Sequence, residues 1–134
     1  MTDTPTSRAE WELDGSGPMT RKQQKMLNAC CGDLSRGIVW HGGQRLSKDD
    51  WRWFLSGTVR GWRMVQGIDR GHGAPGFVML GSSSKDLSRT LARDAITCAL
   101  QLGDHPNEQG LAQRPVQWSA AVLRGLGFNP EDLR

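Results

Sequence analysis

The sequence predicts an α+β fold, a small single domain of three to four helices packed on a short antiparallel sheet. Three observations carry this. The length of 134 residues suits one domain. Three stretches place apolar residues at helical spacing, two of them behind a Thr or Ser cap. Two short apolar runs flank a glycine-rich loop, as in a long-looped hairpin. The division expected is a polar tail with a possible short strand over 1–18, and the domain proper over 19–134.

Residues 1–8 read as a disordered polar tail, and AEWEL at 9–13 alternates apolar and polar as a short strand does. Asp14 to Pro18 is a turn cluster. Thr20 caps a helix over about 21–36, with Gln23, Leu27, Cys30, Cys31 and Leu34 on one side. Arg21, Lys22, Lys25 and Arg36 line the other side. Ala29 and Gly32 lie between them, small enough for a phosphate backbone to approach.

Gly37 ends this helix, Ile38 to Trp40 is short and apolar, and His41-Gly42-Gly43 is a turn. Ser47 and Asp50 open a second helix, with Asp49 and Asp50 favourably placed in its first turn. Trp51, Phe54, Leu55, Thr58, Val59 and Trp62 form its core stripe. Trp53 falls opposite, beside Ser56 and Arg60 and flanked by Arg52 and Arg63. It is the least core-like aromatic of the chain. A base-stacking platform, a subunit contact and a residue covered by a loop all fit it.

Residues 63–68 and 76–80 read as strands around a loop from Asp69 to Pro75 that holds His72. Gly81-Ser82-Ser83-Ser84-Lys85 then leads into a helix over 88–102. Its amides, hydroxyls and lysine suit a phosphate, and equally suit ordinary capping. Leu87, Leu91, Ala95, Cys98 and Leu102 give that helix its apolar face. A polar loop from Asp104 to Pro115 and a short helix over 119–126 complete the chain.

Charge is segregated. The net charge is only +3, too small to name a partner. Residues 19–63 carry nine bases against three acids and four of the six tryptophans. Bases interleaved with aromatics suit nucleic acid, because Arg and Lys meet phosphates while indoles stack on bases. A basic helical surface over a tryptophan-rich core gives the same composition. No apolar run is long enough to span a membrane, so none is expected as a partner. The N-terminus lacks the basic start and apolar run of a signal peptide. Three cysteines, two of them adjacent and none in C-x-x-C, argue against a disulfide framework or a zinc site and point to a reducing cytoplasm.

Catalysis is not expected, and neither is a cofactor or metal. His41, His72 and His105 show no metal-ligand spacing, and no G-x-S-x-G or Walker loop occurs. Cys30 and Cys31 lie on the apolar face, where a thiol is inert. The rival reading is a metal-dependent DNA nuclease or junction resolvase built on Asp33, His41 and Asp49. A third is a protein-binding adaptor with no affinity for DNA.

Residues 23–42, QQKMLNACCGDLSRGIVWHG, resemble the signature of the NinB (Orf) family of phage recombination proteins. The resemblance rests on Gly32-Asp33-Leu34-Ser35-Arg36 followed by Trp40-His41-Gly42. Asp50-Trp51-Arg52, the run from Gly76 to Gly81, Ser82-Ser83-Ser84 and Gln117-Trp118-Ser119 follow in order. Together they span about residues 19–119. The Gln-Asn pair of the family is Gln23-Gln24 here, and Asn28 stands where the family has a tryptophan.

This resemblance implies a non-catalytic recombination mediator that binds single-stranded DNA and assists recombinase loading. It also implies a homodimer, a host single-strand-binding protein as partner, and a place in the bacterial host cytoplasm. With the basic stripe, it makes Arg21, Lys22, Lys25, Arg36, Arg52, Arg60 and Lys85 the expected phosphate contacts. Trp53 becomes the expected stacking residue, and His41 a further DNA contact or a neutral ring holding its turn.

Overall fold

A computed structural model describes residues 10–61, 63–71, 73, 75–80 and 87–128. The chain runs through a 3-10 turn (Glu10–Glu12), α1 (Arg21–Gly37), a tight turn (His41–Gly43) and α2 (Lys48–Arg60). It continues through β1 (Arg63–Gln66), β2 (Phe77–Leu80), α3 (Arg89–Asp104), a further 3-10 turn (Pro106–Gln109) and α4 (Ala120–Gly125). The fold is α+β, with four helices and one short two-stranded antiparallel sheet in a single small domain.

Helix α1 is the hub, and α2, α3, α4 and the N-terminal turn all pack on it. It starts at a capping box. The Thr20 hydroxyl accepts from the Gln23 amide at 3.1 Å, and the Gln23 side chain accepts from the Thr20 amide at 3.0 Å. That arrangement satisfies two backbone donors a helix otherwise leaves open. Met26, Leu27, Cys30, Cys31 and Leu34 then recur at three- and four-residue steps and are buried. Leu27 and Leu34 each contribute roughly 1.5–3 kcal/mol by leaving water.

Gln23 does more than cap. Its side-chain NH2 donates to the carbonyls of Trp11 (3.0 Å), Leu13 (2.8 Å) and Arg89 (3.1 Å). One buried amide thus ties the N-terminal segment and the start of α3 to α1.

The segment at 9–13, expected as a strand, is instead a 3-10 turn over Glu10–Glu12. Alternation failed as a guide because, of the described apolar side chains of the pattern, Trp11 is buried and Leu13 is not. Trp11 enters the core and its indole N–H donates to the Gly125 carbonyl at 3.0 Å, while Leu13 stays exposed. The polar tail at 1–8 lies outside the described residues.

Helix α2 opens on the Ser47/Asp50 capping box, with both bonds at 3.0 Å. Trp51 and Leu55 are buried, and Phe54 and Val59 pack against the core. Two positions differ from the expected stripe. Thr58 is exposed, and Ser56, expected on the polar side, is fully buried. The Ser56 hydroxyl donates to the Arg52 carbonyl at 2.7 Å, which lets it sit inside without an unpaired group. Trp62 lies outside the described residues.

Helix α3 presents Ala92, Ala95, Ile96, Ala99, Leu102 and Gly103 to the core. Small side chains allow it close to α1. At Gly103 the contact requires glycine, since a Cβ there would lie 2.2 Å from the Trp118 ring. That indole is also held, its N–H donating to Asp104 at 2.8 Å. Gly103→Ala is expected to cost about 1–3 kcal/mol of stability by overpacking. Gly32→Ala is the matched control, because a Cβ there meets only the flexible end of Arg36, at 3.6 Å. It is expected to be neutral or to stabilise by up to about 1 kcal/mol. Urea unfolding of the two variants checks the opposite signs.

The sheet adjoins α2 through Gly61, whose φ of 84° turns the chain out of the helix. β1 and β2 pair with Gln66 opposite Phe77 and Arg63 opposite Leu80. No described strand residue belongs to the core cluster, which is made by the helices and the segments that flank them.

Candidate nucleic-acid interface

The basic stripe of α1 forms. Arg21, Lys22, Lys25 and Arg36 are all exposed. Asp33, the helix's single carboxylate, is turned inward and buried. One Asp33 oxygen accepts from the Arg36 guanidinium and the other from the Ser119 amide at 2.8 Å. The outer face of α1 therefore presents Arg21, Lys22 and Lys25 with no acid of their own helix beside them, while Arg36 is paired with Asp33.

The spacing within the stripe differs from that expected. Gly32 is buried, with the Arg36 guanidinium folded back over it. It does not leave a gap for a phosphate. Arg36 remains 70% exposed while paired with Asp33, so its charge still faces solvent.

The C-terminal end of α1 borders a shallow groove of about 400 Å³, lined by Arg36, Gln113, Arg114 and Gln117 among others. Helix C-termini carry partial negative charge from open carbonyls. Here the last two of those carbonyls are taken. Gln113 donates to Gly37 O at 2.9 Å, and Arg45 donates to Arg36 O at 3.1 Å. The groove thus adds Arg114 to the stripe, and Arg45 joins the end of α1 through its bond to Arg36 O. Both were missed in the sequence, because only folding brings residues 36, 45 and 114 to one place.

The other expected contacts are less uniform. Arg52 is mostly covered, its side chain 21% exposed and paired with Asp49 at 4.0 Å. Arg60 is half-buried at the end of α2. Trp53 is exposed on α2, opposite the buried Trp51, as its polar-face position requires. His41 is exposed, its ring edge-on to Trp40 at 4.7 Å, and a loop glycine, Gly110, lies near it. Lys85 and the serines before it, like His72, lie outside the described residues.

Asp33, His41 and Asp49 do not converge. Among the described residues no three His, Cys, Asp or Glu side chains stand where they could hold a metal ion together. Asp33 is committed to the join between α1 and α4. No helix among the described residues is long and apolar enough to cross a membrane.

The thiols are buried on the inner face of α1. Burial pushes the Cys31 thiol up to about 12, against the opposing pull of Arg52 and Lys48. Burial raises Cys30 too, helped by the neighbouring Cys31. A thiol held protonated by the fold favours folding below the ordinary value of 9.0 and loses that contribution as pH rises toward 12. The chain has no tyrosine to titrate in the same window. Cys31→Ala is therefore expected to flatten the fall of unfolding free energy between about pH 9 and 11. Urea denaturation at several alkaline pH values reads this directly.

Comparison with known proteins bears on fold and family. A solved structure described as a NinB protein from structural genomics aligns with a TM-score of 0.56 at 21% identity. The alignment covers 98% of this chain and 83% of that one. At that identity the likeness concerns the fold. No curated protein matches. The NinB family model matches residues 16–107, well over half the sequence and including α1, α2, the sheet and α3. The chain belongs to the NinB family.

Proposed function

We propose that this protein binds single-stranded DNA without strong sequence preference and acts as a non-catalytic mediator of phage recombination. The observation that carries this is the outer face of α1. Arg21, Lys22, Lys25 and Arg36 are exposed there, the helix's only carboxylate is buried, and the stripe ends in a groove bearing Arg114. Such a face tracks a phosphate backbone through charge and leaves base identity unread. Trp53 supplies an exposed ring on which a base stacks. Membership in a family of phage recombination proteins supplies the biological setting. In that setting the protein helps load a recombinase in the host cytoplasm, works with the host single-strand-binding protein, and assembles as a homodimer.

The test is fluorescence anisotropy with a labelled oligothymidine and with duplex DNA. The single strand is expected to bind more tightly. Trp53→Ala is expected to weaken it by about 1–3 kcal/mol and to leave the salt dependence nearly unchanged, because stacking releases no counterions. If Trp53→Ala instead halves the mass seen by light scattering, Trp53 is a subunit contact. Mg²⁺-dependent cleavage that survives purification and is lost in Asp49→Ala would replace the mediator by the nuclease.

A further inference from the structure

The β1–β2 hairpin carries exposed apolar side chains that the fold does not use. Phe77 is 73% exposed, and Met64, Val65, Ile68, Val78 and Leu80 are exposed with it. A two-stranded hairpin alone is at best marginally stable in water. A surface of this kind marks a place where something binds.

The cross-strand register divides these residues between two faces. Met64, Gln66 and Phe77 share one face, and Arg63, Val65, Val78 and Leu80 share the other. A flat protein partner covers one such face and leaves the second wet. A flexible strand of nucleic acid follows a narrow arm and meets both.

The charges favour the same occupant. Arg63 and Arg70 are exposed. The single carboxylate between Arg63 and Leu80 is Asp69, which accepts from the Gly71 amide at 2.8 Å and the Gly73 amide at 3.3 Å and so is spent on folding the loop. Phe77 presents an open ring beside Gln66, whose amide both donates to and accepts from base edges. The hairpin also extends directly from α2, the helix that carries Trp53.

We propose that the β1–β2 hairpin is a second contact for single-stranded nucleic acid, with Phe77 stacking on a base and Arg63 and Arg70 meeting phosphates. This rests on the single-stranded DNA reading and adds a surface distinct from α1.

The experiment uses the full chain and an oligothymidine, in two forms. In the first, the oligonucleotide carries 5-iodouracil, and the cross-linked peptide is identified by mass spectrometry after irradiation. The expected result is a cross-link within the peptide containing Phe77. In the second, Phe77→Ala is expected to weaken binding roughly tenfold at fixed salt. Arg63→Gln and Arg70→Gln are each expected to flatten the salt dependence by about 0.7 in slope.

Wild-type affinity in all three variants, with no cross-link to the hairpin, overturns the proposal. So does a fall from dimer to monomer mass in Phe77→Ala, which assigns the hairpin to a second copy of the chain. Either result leaves the α1 interface standing if substitutions there still reduce binding. If the wild-type protein binds no single-stranded DNA, both readings fail together.

Discussion

Trp51→Ala is expected to remove about 3–5 kcal/mol of stability, the cost of deleting a fully enclosed large aromatic. Trp51 is wholly buried. It meets Trp40 edge-on at 5.5 Å and Phe54 at 5.2 Å, and those two rings meet each other at 5.1 Å. Each such pair contributes roughly 0.5–1.5 kcal/mol beyond the area it buries. The triangle fixes the 38–44 segment onto α2, so its loss reaches the turn holding His41. Against a total of about 5–15 kcal/mol for a domain, the variant is left close to unfolding at 37 °C. Among the described residues the Trp51 indole N–H has no hydrogen-bond partner, so Trp51→Phe loses no such bond and is expected to retain most of the stability. Urea midpoints of the two variants, with near-ultraviolet circular dichroism for the aromatic cluster, measure the difference.

Replacing Arg21, Lys22 and Lys25 together by glutamine is expected to weaken single-stranded DNA binding roughly 100-fold at about 0.1 M salt. Each phosphate contact to a single strand contributes about 0.7 to the slope of log K against log salt. Three contacts therefore amount to about two decades at that salt, relative to 1 M. All three side chains are exposed and none belongs to the core, so the fold should survive the substitution. Arg36 is left out because removing it also strips a hydrogen-bond partner from buried Asp33. Thermal melts of the triple variant should match those of the wild type.

Much of this arrangement was legible in the sequence, for local reasons. The caps at Thr20 and Ser47 are short-range chemistry, and both form with the expected partners. The helical wheel of α1 separated Leu27, Cys30, Cys31 and Leu34 from Arg21, Lys22 and Lys25 correctly, because a 3.6-residue period needs no knowledge of the partner helix. The wheel also placed Gln23 inside. It could not show why a polar side chain belongs there, since the carbonyls that answer it come from Trp11, Leu13 and Arg89.

The misreadings have both local and distant causes. AEWEL looked like a strand because alternation was counted over too few residues to separate it from a turn anchored by one tryptophan. Gly32 looked open because its cover, the Arg36 side chain, comes from four residues on and is drawn in by Asp33. Asp33 looked like a possible metal ligand, and its second partner, the Ser119 amide, lies 86 positions away. At the site, the groove residues Gln113 and Arg114 carried no local signal. They reach the end of α1 only through the loop that Val116 seats against Gly37.

The central claim is that the basic face of α1 is a track for single-stranded DNA. Its most direct test is the salt dependence of wild-type binding to a labelled oligothymidine, titrated between about 50 and 300 mM salt. Three or more phosphates held along α1 predict a log–log slope of about −2 or steeper. Binding that does not change with salt, or no binding to single-stranded DNA at the low end of that range, would contradict the account.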